Sequence, residues 1–599
     1  MPSIRAAARP LLGVAKTTVR RALRQMPWLE DLARDAYFDV ANRPWVQDRA
    51  YQEWLEAHRL FGHALTHRRL RAREWTRQRF VSIVLDLTGA GTEAAARAIA
   101  GITGQAYENW ELVVVRDTTL PGDRARPEHR VQTVISGASR AARLTAGLAR
   151  CHGDLVCLLT ADDVLYPDSL YELCSALDAE PDAAIVYGGE DLVSLGQRPR
   201  RHDPFFKPDW NPELLRSLPY LGSFTLLSAA VVREVGGIRD LGAEATHDDL
   251  LWDLQLRVVE AGRRVAHAVV PVASRVFGPV TTASAARELL AGDGLDIRPQ
   301  PELPGAWQTR HPVTGSPLVS IVIPSKNQLA VVRRCVESVL GKTGYQAYEV
   351  VLVDTGSDAP GVREWYAEVA ARDDRFRVVE WPEQPFSYAR ACNEGARQSR
   401  GDVLVMLNND TEVLDADWLD VLVGEAQRPE VGAVGCLLLY PDGRTVQHAG
   451  IGLGIKGVAG NSLTGLRIDE GMSRTQRTML WTRRATSAVT GACLAVRKGV
   501  YEEVGGFDEA FRVTFNDVDL CLRINERGYR TVYTPYTRLL HHESVSVSVA
   551  DAGRRDWTEL YAAADLFKQR WGALTLRDPQ MNPHLSKGTT SYRLVHHGL

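Results

Sequence analysis

Three apolar runs in the second half of the chain stop in side chains that bury badly. "VLVML" (403 to 407) ends at Asn408, Asn409 and Asp410, "VSIVI" (319 to 323) at Pro324, Ser325 and Asn327, and "YEVVLV" (348 to 353) at Asp354. Asn and Asp at such places either close turns through local hydrogen bonds or face a ligand or metal, because open α/β sheets bind ligands at the carboxyl ends of their strands. The residue types alone leave both readings open. Further on, "FNDVDLCLRINERGYR" (515 to 530) sets Asp517 and Asp519 at the start of a helical pattern. Asp519 is placed for an i,i+4 ion pair with Arg523, whereas Asp517 lies off that pairing and is free to face a cleft. The apolar stretch before "HHES" ends at His541 and His542, and "TGACLAVRK" (490 to 498) puts the small Gly491 and Ala492 where something comes close.

The elements that must position these groups repeat. From residue 80, short Val/Ile/Leu runs alternate with longer helical stretches, the pattern of a mainly parallel sheet flanked by helices. After the Pro-rich "RPQPELPGAWQTRHPVTGSP" (298 to 317) the pattern starts again, and the halves align. "VSIV" occurs at 81 and at 319, "HGDLVCLLTADDVLYPDSL" parallels "RGDVLVMLNNDTEVLDADWL", "VREVGGI" parallels "YEEVGGF", and "DLQLRVVEAGRR" parallels "DLCLRINERGYR". A period of about two hundred residues is a duplicated domain rather than a solenoid. The expected organisation is a helical region over 1–78, an α/β domain over 79–290, a linker over 291–317, a second α/β domain over 318–548, and a helical segment and tail over 549–599.

Bulk properties narrow the class. With 45% hydrophobic and 24% charged residues and a net charge of -3, the 599-residue chain reads as globular and gives no argument for a nucleic-acid partner. Its eight cysteines form no close CxxC pair, which argues against a disulfide framework or zinc site and fits a reducing, cytoplasmic compartment. No apolar stretch approaches the ~18 to 20 residues of a membrane span. Residues 1 to 29 carry six basic side chains and no acid, with apolar residues at helical spacing, so peripheral contact with the inner face of the plasma membrane is one expectation. A solvated helix packed on the next domain is the other.

In combination, "SIVIPSKN", "VLVDTGSD", "MLNNDTEV", "DGRTVQHAGIGLG", "VTGACLAVRK", "EEVGGFDEAF", "FNDVDLCLRINERGYRTVYTP" and "LLHHES" resemble an inverting family 2 glycosyltransferase of GT-A fold. The likeness is to the bacterial, rhamnosyltransferase-like group associated with O-antigen and other surface polysaccharides. It runs in family order over residues 318 to 546, and the first half resembles the same fold more loosely. The implied fold class is α/β, with two tandem Rossmann-like GT-A domains behind a helical N-terminal region.

The resemblance implies roles. A nucleotide diphosphate sugar is the donor, and a saccharide, polyprenyl-linked in this group, is the acceptor. "NND" stands at the family's DXD position, so Asp410 is the expected ligand of Mg2+ or Mn2+, with Asn408 and Asn409 towards the nucleotide. Asparagine in place of the first aspartate lowers the negative charge of that site. His541 matches the family's metal-contacting histidine, and Asp517 its catalytic base. The usual Glu before that base is Asn516 here, and Gly491 and Ala492 border donor sugar and acceptor. Pro324, Ser325, Asn327 and Asp354 would line the nucleotide pocket. In the first half Asp162 aligns with Asp410, but Thr160 replaces Asn408, Arg116 replaces Asp354, Leu251 replaces Asp517, and no histidine lies between Val269 and Gly278. A non-catalytic first domain is therefore expected. The alternatives are a bifunctional enzyme with Asp248 or Asp249 as a second base, and a carbohydrate-binding scaffold without catalysis. A dinucleotide-dependent enzyme is disfavoured because no GxGxxG follows the first strand of either half.

Overall fold

The structure, a computed structural model, describes residues 44–60, 62–117, 130–136, 139–196, 199–278, 280–290, 294–382, 385–468, 471–542 and 557–594. The basic segment over residues 1 to 29 lies outside them. Two sheets of the same strand order dominate. In the second, the order is Phe376–Glu380, Tyr348–Asp354, Val319–Ser325, Val403–Leu407, Cys493–Arg497, Val431–Leu439, Arg530–His541 and Thr411–Val413. The first four are parallel, and Cys493–Arg497 then enters antiparallel beside Val403–Leu407. The central strands are buried along their whole length because helices cover both faces, which is why they read as unbroken apolar runs.

The first sheet repeats this order with Val131–Ile135, Trp110–Arg116, Val81–Asp86, Leu155–Thr160, Leu226–Ser228, Ala183–Ser194, Arg264–Arg275 and Asp163–Leu165. Repetition reaches single hydrogen bonds. Ser82 donates to Glu111 and accepts from Gly153 N–H, and Ser320 does the same with Glu349 and Gly401. Arg257 joins Asp253 to the carbonyls of Val235 and Gly237, and Arg523 joins Asp519 to those of Val504 and Gly506. The i,i+4 pair expected for Asp519 is present at 2.7 Å.

The segments outside the sheets are more integrated than expected. Helix Pro44–Ala57 stops within "YQEWLEAHRLF", where the His58 ring bonds back to the Trp54 carbonyl at 2.8 Å. The expected linker carries a hairpin of Asp296–Pro299 with Trp307–Arg310, its Pro-rich stretch forming the edge and turn. Arg310 pairs with Asp417, the residue before helix Trp418–Ala426, as Arg68 pairs with Asp168 before helix Ser169–Ala179. Each domain is thus preceded by a segment that clamps the same helix start. The C-terminal tail is also no loose end: Met581, Leu585, Tyr592 and Leu594 enter an apolar core shared with both domains.

At the junction, Glu213 of the first domain is buried among Arg428, Arg483 and Arg530 of the second, at 2.8, 3.4 and 3.0 Å. Glu425 completes the cluster through Arg428 and Arg483. A few residues away Arg474 reaches Glu190, which also holds the buried Lys207. The two domains therefore meet through packed side chains and paired charges.

Candidate active site

The carboxyl edge of the second sheet gathers the residues singled out above. Strand Val403–Leu407 ends at Asn408, whose backbone N–H donates to the Ala492 carbonyl at 3.1 Å. Asp410 follows, and the short strand Thr411–Val413 pairs antiparallel with the end of Arg530–His541, setting Thr411 opposite His541. This ribbon brings His541 Nε2 to 3.1 Å from Asp410 Oδ1 and 3.4 Å from the Asn408 amide. His541 and Asp410 are both buried, and among the described residues His541 Nδ1 has no hydrogen-bond partner. The neighbouring His542 is engaged elsewhere, with Glu412 at 3.2 Å and Arg334 at 3.0 Å.

Asp517 approaches from the other side. Phe515, with a φ of 65°, turns the chain sharply into helix Asn516–Glu526, so that Asp517 falls in its first turn. Its Oδ2 accepts from Gly491 N–H at 2.8 Å and its Oδ1 from Val518 N–H at 2.8 Å. Burial raises the Asp517 carboxyl above its usual range, and these backbone donors only partly offset that rise. Asn516 is buried and bonds the Val513 carbonyl, which closes the turn rather than supporting Asp517 directly.

Residues 491 and 492 link the two sides. Gly491 holds Asp517 through its N–H, and Ala492 holds Asn408 through its carbonyl. A Cβ on Gly491 would meet Tyr388 Oη at 3.2 Å and Asp517 Cβ at 3.5 Å, so the close approach inferred from the small residues is real. The remaining predicted residues form a neighbouring cradle. Asn409 donates to Ser325 Oγ at 3.2 Å, Ser325 and Asp354 are cross-strand partners, and Asn327, at φ 57°, accepts from Asp358 and Ala359 N–H. Asp354 itself is buried and closes a turn by accepting from Ser357 N–H and Oγ at 3.0 and 2.5 Å. For that residue the turn reading describes the observed bonds, and Pro324 is buried one position earlier in the adjacent strand.

Two features were not read from sequence. Tyr388 Oη donates to the Gly491 carbonyl at 2.8 Å. In the first domain, the register that sets Thr411 opposite His541 sets Asp163 opposite Arg275. Arg275 pairs there with Asp163 at 3.5 Å and Asp248 at 3.1 Å. Asp249 is fixed too, in a capping box with Thr246, and Leu251 lies in the apolar core.

The family profile of glycosyl transferase family 2 matches residues 92–235 and 320–505, more than half of the chain and one stretch in each sheet domain. The chain belongs to glycosyl transferase family 2. O-antigen biosynthesis protein RfbC of Myxococcus xanthus is 36% identical over 550 residues, covering 87% of this chain and 41% of that protein. Uncharacterized protein y4gI of Sinorhizobium fredii is 35% identical over 541 residues, covering 84% and 57%. An N-acetylglucosaminyl-diphospho-decaprenol L-rhamnosyltransferase of Mycobacterium tuberculosis is 33% identical over 147 residues, covering 22% and 46%. The chain spans about half the length of these relatives. As a family 2 protein with two matched regions, it has the tandem GT-A architecture that its sequence resembled.

Among the described residues, no group of three or more His, Cys, Asp and Glu side chains could hold a metal ion. Asp410 and His541 form a pair, one hard oxygen and one imidazole nitrogen 3.1 Å apart, with an orphaned His541 Nδ1. That pair has the donor types that could hold a divalent cation. No helix among the described residues is long and apolar enough to cross a membrane.

Proposed function

We propose that the chain is a metal-dependent inverting glycosyltransferase that moves a sugar from a nucleotide diphosphate sugar to a saccharide acceptor, polyprenyl-linked, in bacterial surface-polysaccharide assembly. The observation that carries it is the continuous connection Asp517–Gly491–Ala492–Asn408–His541–Asp410, which sets a half-buried carboxylate and a buried Asp–His pair on the two sides of one small-residue segment. The rhamnosyltransferase and O-antigen relatives support the sugar class and the setting.

In this reading Asp517 Oδ2 takes the proton of the acceptor hydroxyl as that oxygen attacks the anomeric carbon, and the bond to the donor diphosphate breaks on the opposite face. The raised carboxyl of Asp517 makes it a stronger base than an exposed aspartate. Asp410 and His541 would hold Mg2+ or Mn2+, which when bound supplies positive charge to the leaving diphosphate. Ser325, Asn327 and Asn409 receive the nucleotide, with Pro324 and Asp354 shaping the strand ends around it. Asn408 lies between nucleotide and metal pair, Gly491 and Ala492 leave room for sugar and acceptor, and Asn516 fixes the turn that delivers Asp517.

The first domain is non-catalytic. Arg275 places a guanidinium at the register of His541, Asp248 and Asp249 are held in structural bonds, and leucine stands in the position of the base. Manganese titration of the full chain is expected to show one site, removed by Asp410→Asn; a second site that survives this change would assign a metal to the first domain.

Release of nucleoside diphosphate from UDP-, GDP- and dTDP-linked sugars, with Mn2+ or Mg2+ and again with EDTA, tests the activity. Turnover of one class that EDTA stops is expected, and silence with all three classes would sink the reading. Peripheral attachment through the basic N-terminus predicts that deleting residues 1–28 frees the protein from anionic vesicles; undiminished binding would remove the membrane assignment.

A further inference from the structure

Tyr388 opens helix Tyr388–Gln398, directly after Ser387, whose side chain caps that helix by accepting from Arg390 N–H. Its hydroxyl donates to the Gly491 carbonyl at 2.8 Å, while Gly491 N–H donates to Asp517 Oδ2 at 2.8 Å. One residue is therefore gripped on its carbonyl side by the phenol and presents its amide to the carboxylate. Tyr388 and Asp517 lie at the starts of two separate helices and Gly491 in the turn before strand Cys493–Arg497, so no local turn explains the arrangement. The counterpart of Tyr388 in the first domain follows from the shared cap: Ser139 caps helix Arg140–Leu148 as Ser387 caps its own, and the next residue is Arg140. Arg140 instead reaches the Ala245 carbonyl and approaches Asp86. The tyrosine is missing in the domain where leucine replaces the base.

We propose that Tyr388 is a positioning residue for transfer: by fixing the orientation of Gly491 it keeps the Gly491 amide aimed at Asp517 and so sets the geometry and basicity of that carboxylate. The inference rests on the reading of Asp517 as the base. Burial, with nearby Cys392 and Asp517, pushes the Tyr388 phenol well above its ordinary range, so it stays a neutral donor at every working pH. Cys521, whose thiol also lies near Asp517, is pushed up by burial to about 12 and is likewise uncharged. Loosening the Gly491 amide removes a bond that favours the ionised carboxylate, and the carboxyl then rises further.

The test compares Tyr388→Phe, Gly491→Ala and Asp517→Asn with the parent full-length chain, reading nucleoside diphosphate release from a mixture of UDP-, GDP- and dTDP-linked sugars across pH. Tyr388→Phe loses only the hydroxyl, and it is expected to lower kcat about tenfold with donor KM unchanged and to move the acid limb of the profile up by about half a pH unit or more. Gly491→Ala, whose new methyl crowds Tyr388 Oη, is expected to change kcat and the limb in the same direction and serves if Tyr388→Phe folds poorly. A parental kcat and acid limb in both variants, with Asp517→Asn inactive, overturns the role of Tyr388 and leaves the base assignment standing. Parental turnover by Asp517→Asn overturns both. Loss of kcat without movement of the acid limb assigns Tyr388 a purely structural part and likewise overturns the proposal.

Discussion

Glu213→Ala is expected to destabilise the protein by about 3–5 kcal/mol, the usual result of removing one partner from a buried ion cluster. Glu213 sits in the first domain, yet Arg428, Arg483 and Arg530, which pair with it within 3.4 Å, belong to the second. Burial alone would raise its carboxyl, but Arg483, Arg428 and Arg530 outweigh burial and hold it far below the usual carboxylate range. A depressed carboxyl contributes stability that is present above its unfolded-state pKa, near 4, and is lost as pH falls through the folded-state value. Both pH 7 and pH 5 lie above that window, so the variant is expected to lose the same stability at each. Differential scanning calorimetry at pH 7 and pH 5 checks this, and an unchanged midpoint at both would show that the cluster carries no net stability. Arg530 also begins the strand that ends at His541, so the variant is expected to weaken manganese binding as well. Glu213→Gln separates shape from charge, because the amide keeps the volume and leaves the guanidinium groups under-compensated.

The duplication accounts for this cluster. Two copies of one fold face each other, and residues inserted between equivalent strands of each copy reach into the other: Asn211 bonds the Ala485 backbone, Ser217 reaches the Arg483 carbonyl, and Arg474 meets Glu190. In the first copy Arg275 stands at the register that His541 occupies in the second.

Much of this was legible in the sequence. Parallel strands buried on both faces leave unbroken apolar runs, and the shared DLxLR block was enough to count back to Leu251 opposite Asp517. The expected Asp519–Arg523 pair followed from helix spacing alone. What stayed hidden depends on pairing across long separations. No histidine lies between Val269 and Gly278, and only the strand register reveals that Arg275 occupies the place of His541. Tyr388 lies more than a hundred residues from Gly491 and Asp517, and no spacing rule joins them. Its proline content makes the Pro-rich segment read as a linker; the pairing of Asp296–Pro299 with Trp307–Arg310, and the bonds of Thr309 N–H and the Trp307 carbonyl to Tyr536 Oη, tie it to the second domain.

Asp517→Asn is expected to reduce kcat by about 10²–10⁴-fold, with donor KM little changed. Asparagine keeps the size of the side chain but only one acceptor oxygen, so it can serve either the Gly491 amide, now at Oδ2, or the Val518 amide, now at Oδ1, and the other loses its acceptor. It cannot accept the acceptor's proton. Stability separates this role from a structural one. Because burial raises the Asp517 carboxyl in the folded state, its ionised form opposes folding at neutral pH, and stability from this group grows as pH falls through the raised value. Relief of the desolvated charge offsets the one backbone bond that the amide cannot keep, so the thermal midpoint at pH 7 is expected to stay close to the parent's, and that part of its pH dependence to disappear. A structural aspartate would behave oppositely, because its loss would lower the midpoint along with the rate. An inactive variant about as stable as the parent is the signature of a carboxylate kept, against folding, for chemistry. A less stable variant with parental turnover would instead make Asp517 a helix-start residue like its neighbour Asp519.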